Sequence, residues 1–279
     1  MKQFLNLENV DTCDICGSKN IGTYYKESDI VECLDCSFLF VSPRPSIDDI
    51  KESYSDSRFY NGWISESEGR LQMWSKRFHR IAKYLKNSSE VLDFSAGIGT
   101  FLQIVKSQGH RAYGTELSDS AKAIASKQHS IALLDTDFYF NDGFLNYFDV
   151  VTAWHVVEHV MSPRKLVTQI YKVLKTGGYL IVAVPNANAK SLKGIFQRQN
   201  REQVFPKLRI GDEIHLSQFT DDTLAKILKT VGFQIVETGI DDYYPTPDMR
   251  SRTKYYLYEF IRRMTHKNLS PTIFIVAQK

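Results

Sequence analysis

Val91-Leu92-Asp93-Phe94-Ser95-Ala96-Gly97-Ile98-Gly99-Thr100-Phe101-Leu102 decides the fold. It opens as a short apolar strand, passes through a turn of small residues, and runs on into a helix. Such a turn lets a ligand lie against bare backbone, with the first amides of the helix pointing at it. Downstream, a second strand, Arg111-Ala112-Tyr113-Gly114-Thr115, ends in Glu116. A carboxylate there can accept hydrogen bonds from both hydroxyls of a ribose. Together the two elements point to a nucleoside-containing cofactor. A dinucleotide does not match, because a G-x-G-x-x-G run counted from Gly97 needs its third glycine where Leu102 stands. A triphosphate does not match either, because no Lys-Ser or Lys-Thr closes the turn.

The alternation continues along the chain. Phe148-Asp149-Val150-Val151-Thr152-Ala153-Trp154 is a core strand that leads into His155-Val156-Val157-Glu158-His159-Val160 and then Ser162-Pro163. A helix from Leu166 to Leu174 is stopped by Gly177-Gly178, and Tyr179 to Asn186 is a further buried strand ending in Pro-Asn. His215-Leu216-Ser217-Gln218-Phe219-Thr220 precedes a helix carrying Leu224, Ile227 and Leu228 and followed by Gly232-Phe233.

Taken in order, these motifs resemble class I S-adenosylmethionine-dependent methyltransferases, and within them the small-molecule branch. They are Asp93/Ser95/Gly97/Gly99, F-D-V-V, E-H-V with a nearby proline, G-G-strand-P-N, and the H-L-S-Q-F-T helix entry. The resemblance covers roughly residues 70 to 279. The family usually has glycine where this chain has Ser95. The resemblance implies an α/β, Rossmann-like sheet of seven mostly parallel strands, the last one antiparallel between its neighbours. Strands are expected near 89–94, 111–116, 130–135, 147–154 and 178–184, then at 233–237 and 272–277. Helices are expected near 99–108, 119–128, 163–175 and 220–231. The resemblance also implies S-adenosylmethionine as cofactor, bound by Asp93, Ser95, Ala96, Gly97, Gly99, Glu116, Leu117, Trp154 and His155. His159 and His215 become the candidate catalytic residues. Each is a general base or acceptor contact, and the two face the acceptor from opposite sides of the pocket mouth. The related sugar C-methyltransferases carry an H-E-H run where this chain has Glu213-Ile214-His215.

All four cysteines lie near the N-terminus, as Cys13-x-x-Cys16 and Cys33-x-x-Cys36. That spacing fits a four-thiolate zinc ribbon. Two disulfides are the competing reading, and they need an oxidising compartment. Four protein ligands leave no open position for water, so the zinc is expected to be structural. A ribbon over 1–42 shares few local contacts with the rest, so removing its metal should leave the sheet domain folded. A connector and possible lid follow over 43–69, where Pro43-Arg44-Pro45 precedes a short helix, and Tyr60 and Trp63 are candidate cofactor covers. Leu71, Trp74, Phe78, Ile81 and Leu85, three or four apart, read as one buried helical face. The methyltransferase domain spans 70–279, with 186–215 and 241–266 as walls of the acceptor pocket.

At 279 residues, 43% hydrophobic and 24% charged, the chain has material for one large soluble domain and a small appendage. No apolar run approaches the ~20 residues of a membrane span, and the first residues lack the apolar core of a signal peptide. A cytoplasmic setting follows from this reading. A net charge of +3 is too small to imply a nucleic-acid partner. The reading is therefore methyl transfer to a small-molecule acceptor, such as a sugar or nucleotide-sugar. Two alternatives stand beside it. One is an RNA- or DNA-modifying enzyme that grips nucleic acid with the ribbon. Against it, Ala153-Trp154-His155-Val156 stands where base-amino methyltransferases carry N/D-P-P-Y/F. The other is a non-catalytic module that binds cofactor without consuming it.

Overall fold

The computed structural model describes residues 6–24, 28–54, 67–196, 213–241 and 249–279. The N-terminal part consists of β1 (Leu7–Glu8), β2 (Ile21–Thr23), β3 (Ile30–Cys33), β4 (Leu39–Val41), β5 (Arg44–Pro45) and helix α1 (Ile47–Tyr54). Helix α2 (Ser67–Ile81) then leads to β6 (Glu90–Asp93), α3 (Thr100–Ser107), β7 (Arg111–Gly114), α4 (Asp119–His129) and β8 (Phe148–Trp154). The chain continues through α5 (Pro163–Val173), β9 (Leu174–Pro185), α6 (Leu192–Phe196), β10 (Ser217–Gln218) and α7 (Asp221–Val231). It ends in β11 (Gln234–Gly239), α8 (Met249–Thr265) and β12 (Thr272–Gln278). Tyr60 and Trp63, the lid candidates, lie outside the described residues, as do parts of both expected pocket walls.

One sheet of six strands runs β11-β12-β9-β8-β6-β7. The pairs β6–β7, β6–β8 and β8–β9 are parallel, and β12 is antiparallel to both β9 and β11, as the family resemblance implies. Strands β8 and β12, and β9 from Leu180 to Val184, are buried on both faces and show no apolar–polar alternation, as expected for strands covered by helices. Helix starts follow the local chemistry. The Ser118, Ser162 and Thr220 side chains accept from the amides of Ala121, Lys165 and Thr223.

Three expectations change. The seventh strand, near 130–135, is reduced to a single parallel bridge, Thr115 to Leu134. Its partner β7 is only four residues long, and the chain leaves the sheet at Glu116 to cap α4. The helix expected to reach 175 stops at Val173, because Leu174 is already paired with Phe148 in the sheet. The buried face of α2 is rotated: Arg70, Met73, Arg77, Phe78 and Ile81 are buried, whereas Leu71 is 44% exposed. Leu85 lies beyond the helix end.

The N-terminal part does not hang from the sheet domain as an appendage. Strand β4 pairs antiparallel with β10, and the Val41 amide donates to the Leu216 carbonyl. Cys13, Ile15, Cys33 and Phe38 belong to the same apolar core as Phe219, Leu224 and Ile227. The rings of Phe38 and Phe219 are 5.4 Å apart. Asp14, inside the first C-x-x-C, accepts from the Ser162 hydroxyl at 2.7 Å and the Arg164 amide at 2.7 Å, at the N-terminus of α5. Its carboxylate thus sits where the helix dipole favours negative charge. Few sequence-local contacts join the two parts, yet the spatial contacts are extensive.

Candidate active site

The turn after β6 explains its own composition. Ser95, Gly97 and Gly99 all have positive φ, at 58°, 57° and 79°, so left-handed residues alternate with ordinary ones. Side chains disfavour that region, which accounts for the alternating small residues. Gly99 is the N-cap of α3, and a Cβ there would lie 3.1 Å from the Cβ of Ala125. Ser95 takes the strained conformation in place of the family's glycine, and its amide points to the Thr115 hydroxyl at 3.3 Å.

Glu116 locks this turn. One oxygen accepts from the Gly97 amide at 2.8 Å, the other from Leu117 at 2.8 Å and Ser118 at 3.0 Å. A carboxylate has about four acceptor positions, so capacity remains for a ribose hydroxyl. Asp93 is buried, and its Oδ1 accepts from the Thr152 hydroxyl at 2.6 Å. Burial pushes the Asp93 carboxyl up to about 7, against the opposing pull of Thr152 and Arg77.

A cavity of about 500 Å³ opens above the carboxyl ends of the strands. Its wall contains Asp93, Ser95, Ala96, Gly97, Glu116, Leu117, Trp154, His155 and His159, so the structure brings these candidates together. Gly99 and His215 are not in that wall. Gly99 acts through the turn, and His215 packs behind His159 with ring centroids 4.7 Å apart. The two histidines are therefore on one side of the mouth, not on opposite sides. The Nδ1 of His159 meets the Ile214 carbonyl at 2.6 Å and must donate to it, which leaves the lone pair of a neutral ring on Nε2. Nε2 lies 3.5 Å from Glu213 and 3.8 Å from Glu158. Burial lowers the affinity of His159 for a proton. Glu213 is held down to about 2, chiefly by the neighbouring His215.

Two residues of this site have no local signal in the sequence. Arg77 is clasped by Asp241, with Nε donating to Oδ1 at 3.1 Å and Nη2 to Oδ2. The guanidinium stands over the rings of Trp74 and Trp154, 4.5 and 4.8 Å from their centroids. His155, at φ 55°, places Nε2 3.1 Å from the same Asp241 carboxylate. Burial alone would raise the Asp241 carboxyl, but Arg77 and His155 overcome it and hold the group well below the usual range. The available clue to Arg77 is a charge seven residues after Arg70 along an otherwise apolar helix face.

The cavity fits a nucleoside cofactor on its own evidence. Its volume lies in the range of ligand sites. The buried Trp154 Nε1 has no hydrogen-bond partner among the described residues, and Glu116 at the wall keeps acceptor capacity beyond its three backbone amides.

The four cysteines form a second cluster, with all four Sγ atoms within 4.8 Å of one another. Cys13–Cys36 and Cys16–Cys33 each approach to 3.5 Å, unbonded. The two C-x-x-C turns are copies of each other. Cys13 donates to Ser18 and accepts from Gly17; Cys33 donates to Phe38 and accepts from Ser37. Gly17 and Ser37 both take positive φ. Burial pushes the Cys13 thiol up, and the Cys36 thiol up to about 11, a cost that a bound dication would remove.

Comparison with known proteins fixes the class. The family described as "Methyltransferase domain" matches residues 67–238, more than half of the chain. The chain belongs to that family and is a class I S-adenosylmethionine-dependent methyltransferase. It is similar to the ubiquinone biosynthesis O-methyltransferase of Burkholderia thailandensis, 26% identical over 163 residues, 56% of this chain and 68% of that protein. It is also similar to the enzyme of the same name from Nitrosomonas europaea, 24% identical over 178 residues, 59% of this chain and 72% of the other. Among solved structures, a SAM dependent methyltransferase from Archaeoglobus fulgidus superposes with a TM-score of 0.54 at 21% identity, covering 78% of this chain and all of that one. One from Mesorhizobium loti gives 0.51 at 14% identity, covering 72% and 97%. These two likenesses are of fold.

Proposed function

We propose that the protein transfers the methyl group of S-adenosylmethionine to a hydroxyl oxygen of a small acceptor with an apolar body. One observation carries this reading: a single cavity is walled by the Asp93–Gly97 turn, by Trp154 and by His159. The cofactor supplies a methyl group on a positively charged sulfur, which is already a good leaving group. The protein's work is alignment, exclusion of water and disposal of one proton. Glu116 accepts from the nucleoside's ribose, the small residues of the turn let it approach the backbone, and Trp154 and Leu117 flank it. The acceptor oxygen attacks the methyl carbon in line, the carbon–sulfur bond breaks toward sulfur, and the hydroxyl proton passes to the nearest base, His159 Nε2. Ile47, Ile50, Phe140, Val160, Met161 and Leu166 in the same wall favour an aromatic or aliphatic body over a sugar. The curated relatives carry O-methyltransferase in their names, which supports oxygen as the acceptor atom. We also infer that Cys13, Cys16, Cys33 and Cys36 hold one structural zinc ion, as their paired geometry supports.

The test combines calorimetry and turnover with a panel of simple phenols. Gly97→Val, a β-branched residue at positive φ in the turn, should weaken S-adenosylhomocysteine binding at least tenfold. His159→Gln should lower kcat by ~10²–10⁴ with cofactor affinity unchanged. Equal affinity for wild type and Gly97→Val removes the cofactor assignment. Full turnover by His159→Gln removes His159 from the proton transfer.

A further inference from the structure

A carboxylate in this site lacks what a buried charge needs. The Glu158 side chain is 1% exposed, and among the described residues neither of its oxygens has a hydrogen-bond partner. The nearest nitrogens, His155 Nδ1 at 3.6 Å and His159 Nε2 at 3.8 Å, are beyond hydrogen-bond reach. A buried carboxylate is normally hydrogen-bonded, paired in contact, or coordinated to a metal. Here the contacts stop just short, and a second imidazole completes the set. One ligand atom each from Glu158, His159 and His215 lies within 4.8 Å of the other two.

The details match what a cation requires. The Nδ1–H of His159 is tied to a backbone carbonyl, which fixes the ring and leaves Nε2 as donor atom, the usual support of a metal-bound histidine. Around an ion with bonds of about 2.1 Å, neighbouring donors sit about 3.0–3.6 Å apart. Within the ligand set, His159 Nε2 is 3.8 Å from Glu158 and all three donor atoms lie within 4.8 Å of one another, so an ion would draw them together; Glu213 stands alongside, 3.5 Å from His159 and 3.8 Å from His215. Two segments contribute: the turn after β8 carries Glu158 and His159, and the irregular segment entering β10 carries Glu213 and His215. The amides of Leu216 and Ser217 donate to the Glu158 carbonyl at 2.8 and 3.0 Å, which fastens the two segments together.

We propose that Glu158, His159 and His215 bind a first-row divalent cation, with Glu213 beside it on the cavity wall. Two imidazoles and a carboxylate suit manganese, iron(II), cobalt or zinc, whereas the four thiolates at the N-terminus select softer binding. The role of such an ion rests on the methyl-transfer reading above. Facing the cavity, it polarises the acceptor hydroxyl. The O–H bond breaks, the electron pair stays on oxygen, and the proton goes to Glu213. In the ion-loaded protein Glu213 takes the place of His159 as proton acceptor, and His159 serves as base only where no ion is bound.

The probe is cobalt(II), added to full-length protein whose cysteine cluster is already loaded with zinc. Wild type should take up about one cobalt, with ligand-field absorption and no thiolate-to-cobalt charge transfer. His215→Ala, a partly exposed position, should weaken that uptake at least tenfold while zinc content, circular dichroism and S-adenosylhomocysteine affinity stay unchanged. Glu158→Gln should do the same, and His215→Ala carries the test if Glu158→Gln fails to fold. No cobalt uptake by wild type, or uptake that His215→Ala leaves intact, overturns the site. If uptake fails while His159→Gln still abolishes turnover, the cation falls and the methyl-transfer reading stands with His159 as base. If cobalt binds as expected but no acceptor is ever methylated, the site stands and the functional reading falls.

Discussion

Asp93 and Asp241 are buried carboxyls whose surroundings push them opposite ways. Asp241 has a cation on each side, Arg77 and His155. Asp93 has a hydroxyl, and its charged form is disfavoured by burial. The linkage signs differ accordingly. Asp241, with its folded-state value depressed, contributes stability that is present above pH 4 and is lost as the pH falls below that. Asp93, raised to about 7, contributes stability that is full below its unfolded value near 4 and disappears as the pH rises toward 7. Asp93→Asn keeps an acceptor for Thr152 and removes the titration. Thermal melts between pH 5 and 8 should show wild type losing stability relative to Asp93→Asn as the pH rises. Parallel curves for the two proteins would mean that Asp93 titrates as an ordinary carboxyl in the fold.

Among the elements, α5 joins the two halves of the molecule. Its N-terminus is capped twice, locally by Ser162 and across the chain by Asp14 from the first C-x-x-C turn. The residues just before it, Val160 and Met161, line the cavity, and the Met161 carbonyl accepts from Arg44 at 2.6 Å. Asp14→Ala removes two charge-assisted hydrogen bonds and should cost about 1–2 kcal/mol in urea unfolding. Because the loss falls beside the acceptor wall, acceptor KM should rise while zinc content and cofactor affinity hold. A variant with unchanged urea midpoint and KM would show that this contact is incidental. The same helix shows why part of the site was legible in sequence and part was not. Asp93, the small-residue turn and Glu116 lie within one strand–helix–strand unit, so their spacing encodes their proximity. Arg77 and Asp241 are 164 residues apart, and Asp14 and Arg164 are 150 apart. Only packing of α2 and the N-terminal strands brings them together. The shortened seventh strand was equally hidden. Ile131 and Leu133 are buried with the expected alternation, but the edge partner β7 is too short to extend the ladder.

For the whole molecule, the consequence is that the cysteine cluster and the sheet share one fate. No helix among the described residues is long and apolar enough to cross a membrane, and the largest apolar core runs through both parts. Cys13 and Cys33 pack into it with Phe38, Phe219 and Leu224, and β4 pairs with β10 beside the histidine pair. A metal-free cluster would leave four crowded thiols at the edge of that core, two of them with raised proton affinity. On the zinc assignment proposed above, stripping the metal with a chelator under reducing conditions should therefore lower the melting temperature of the entire protein. The fall is expected to be on the order of 5–15 °C, from the loss of a few kcal/mol spread over a domain of this size. Scanning calorimetry should show one transition before and after, because the cluster has no separate core to melt. The histidine pair should respond as well: Ile214, the His159 acceptor, and Leu216, the Val41 acceptor, belong to the same short segment. Two resolved transitions in the zinc-loaded protein, or a stripped protein whose main transition does not move, would mean that the N-terminal cluster is an independent unit resting on the sheet domain.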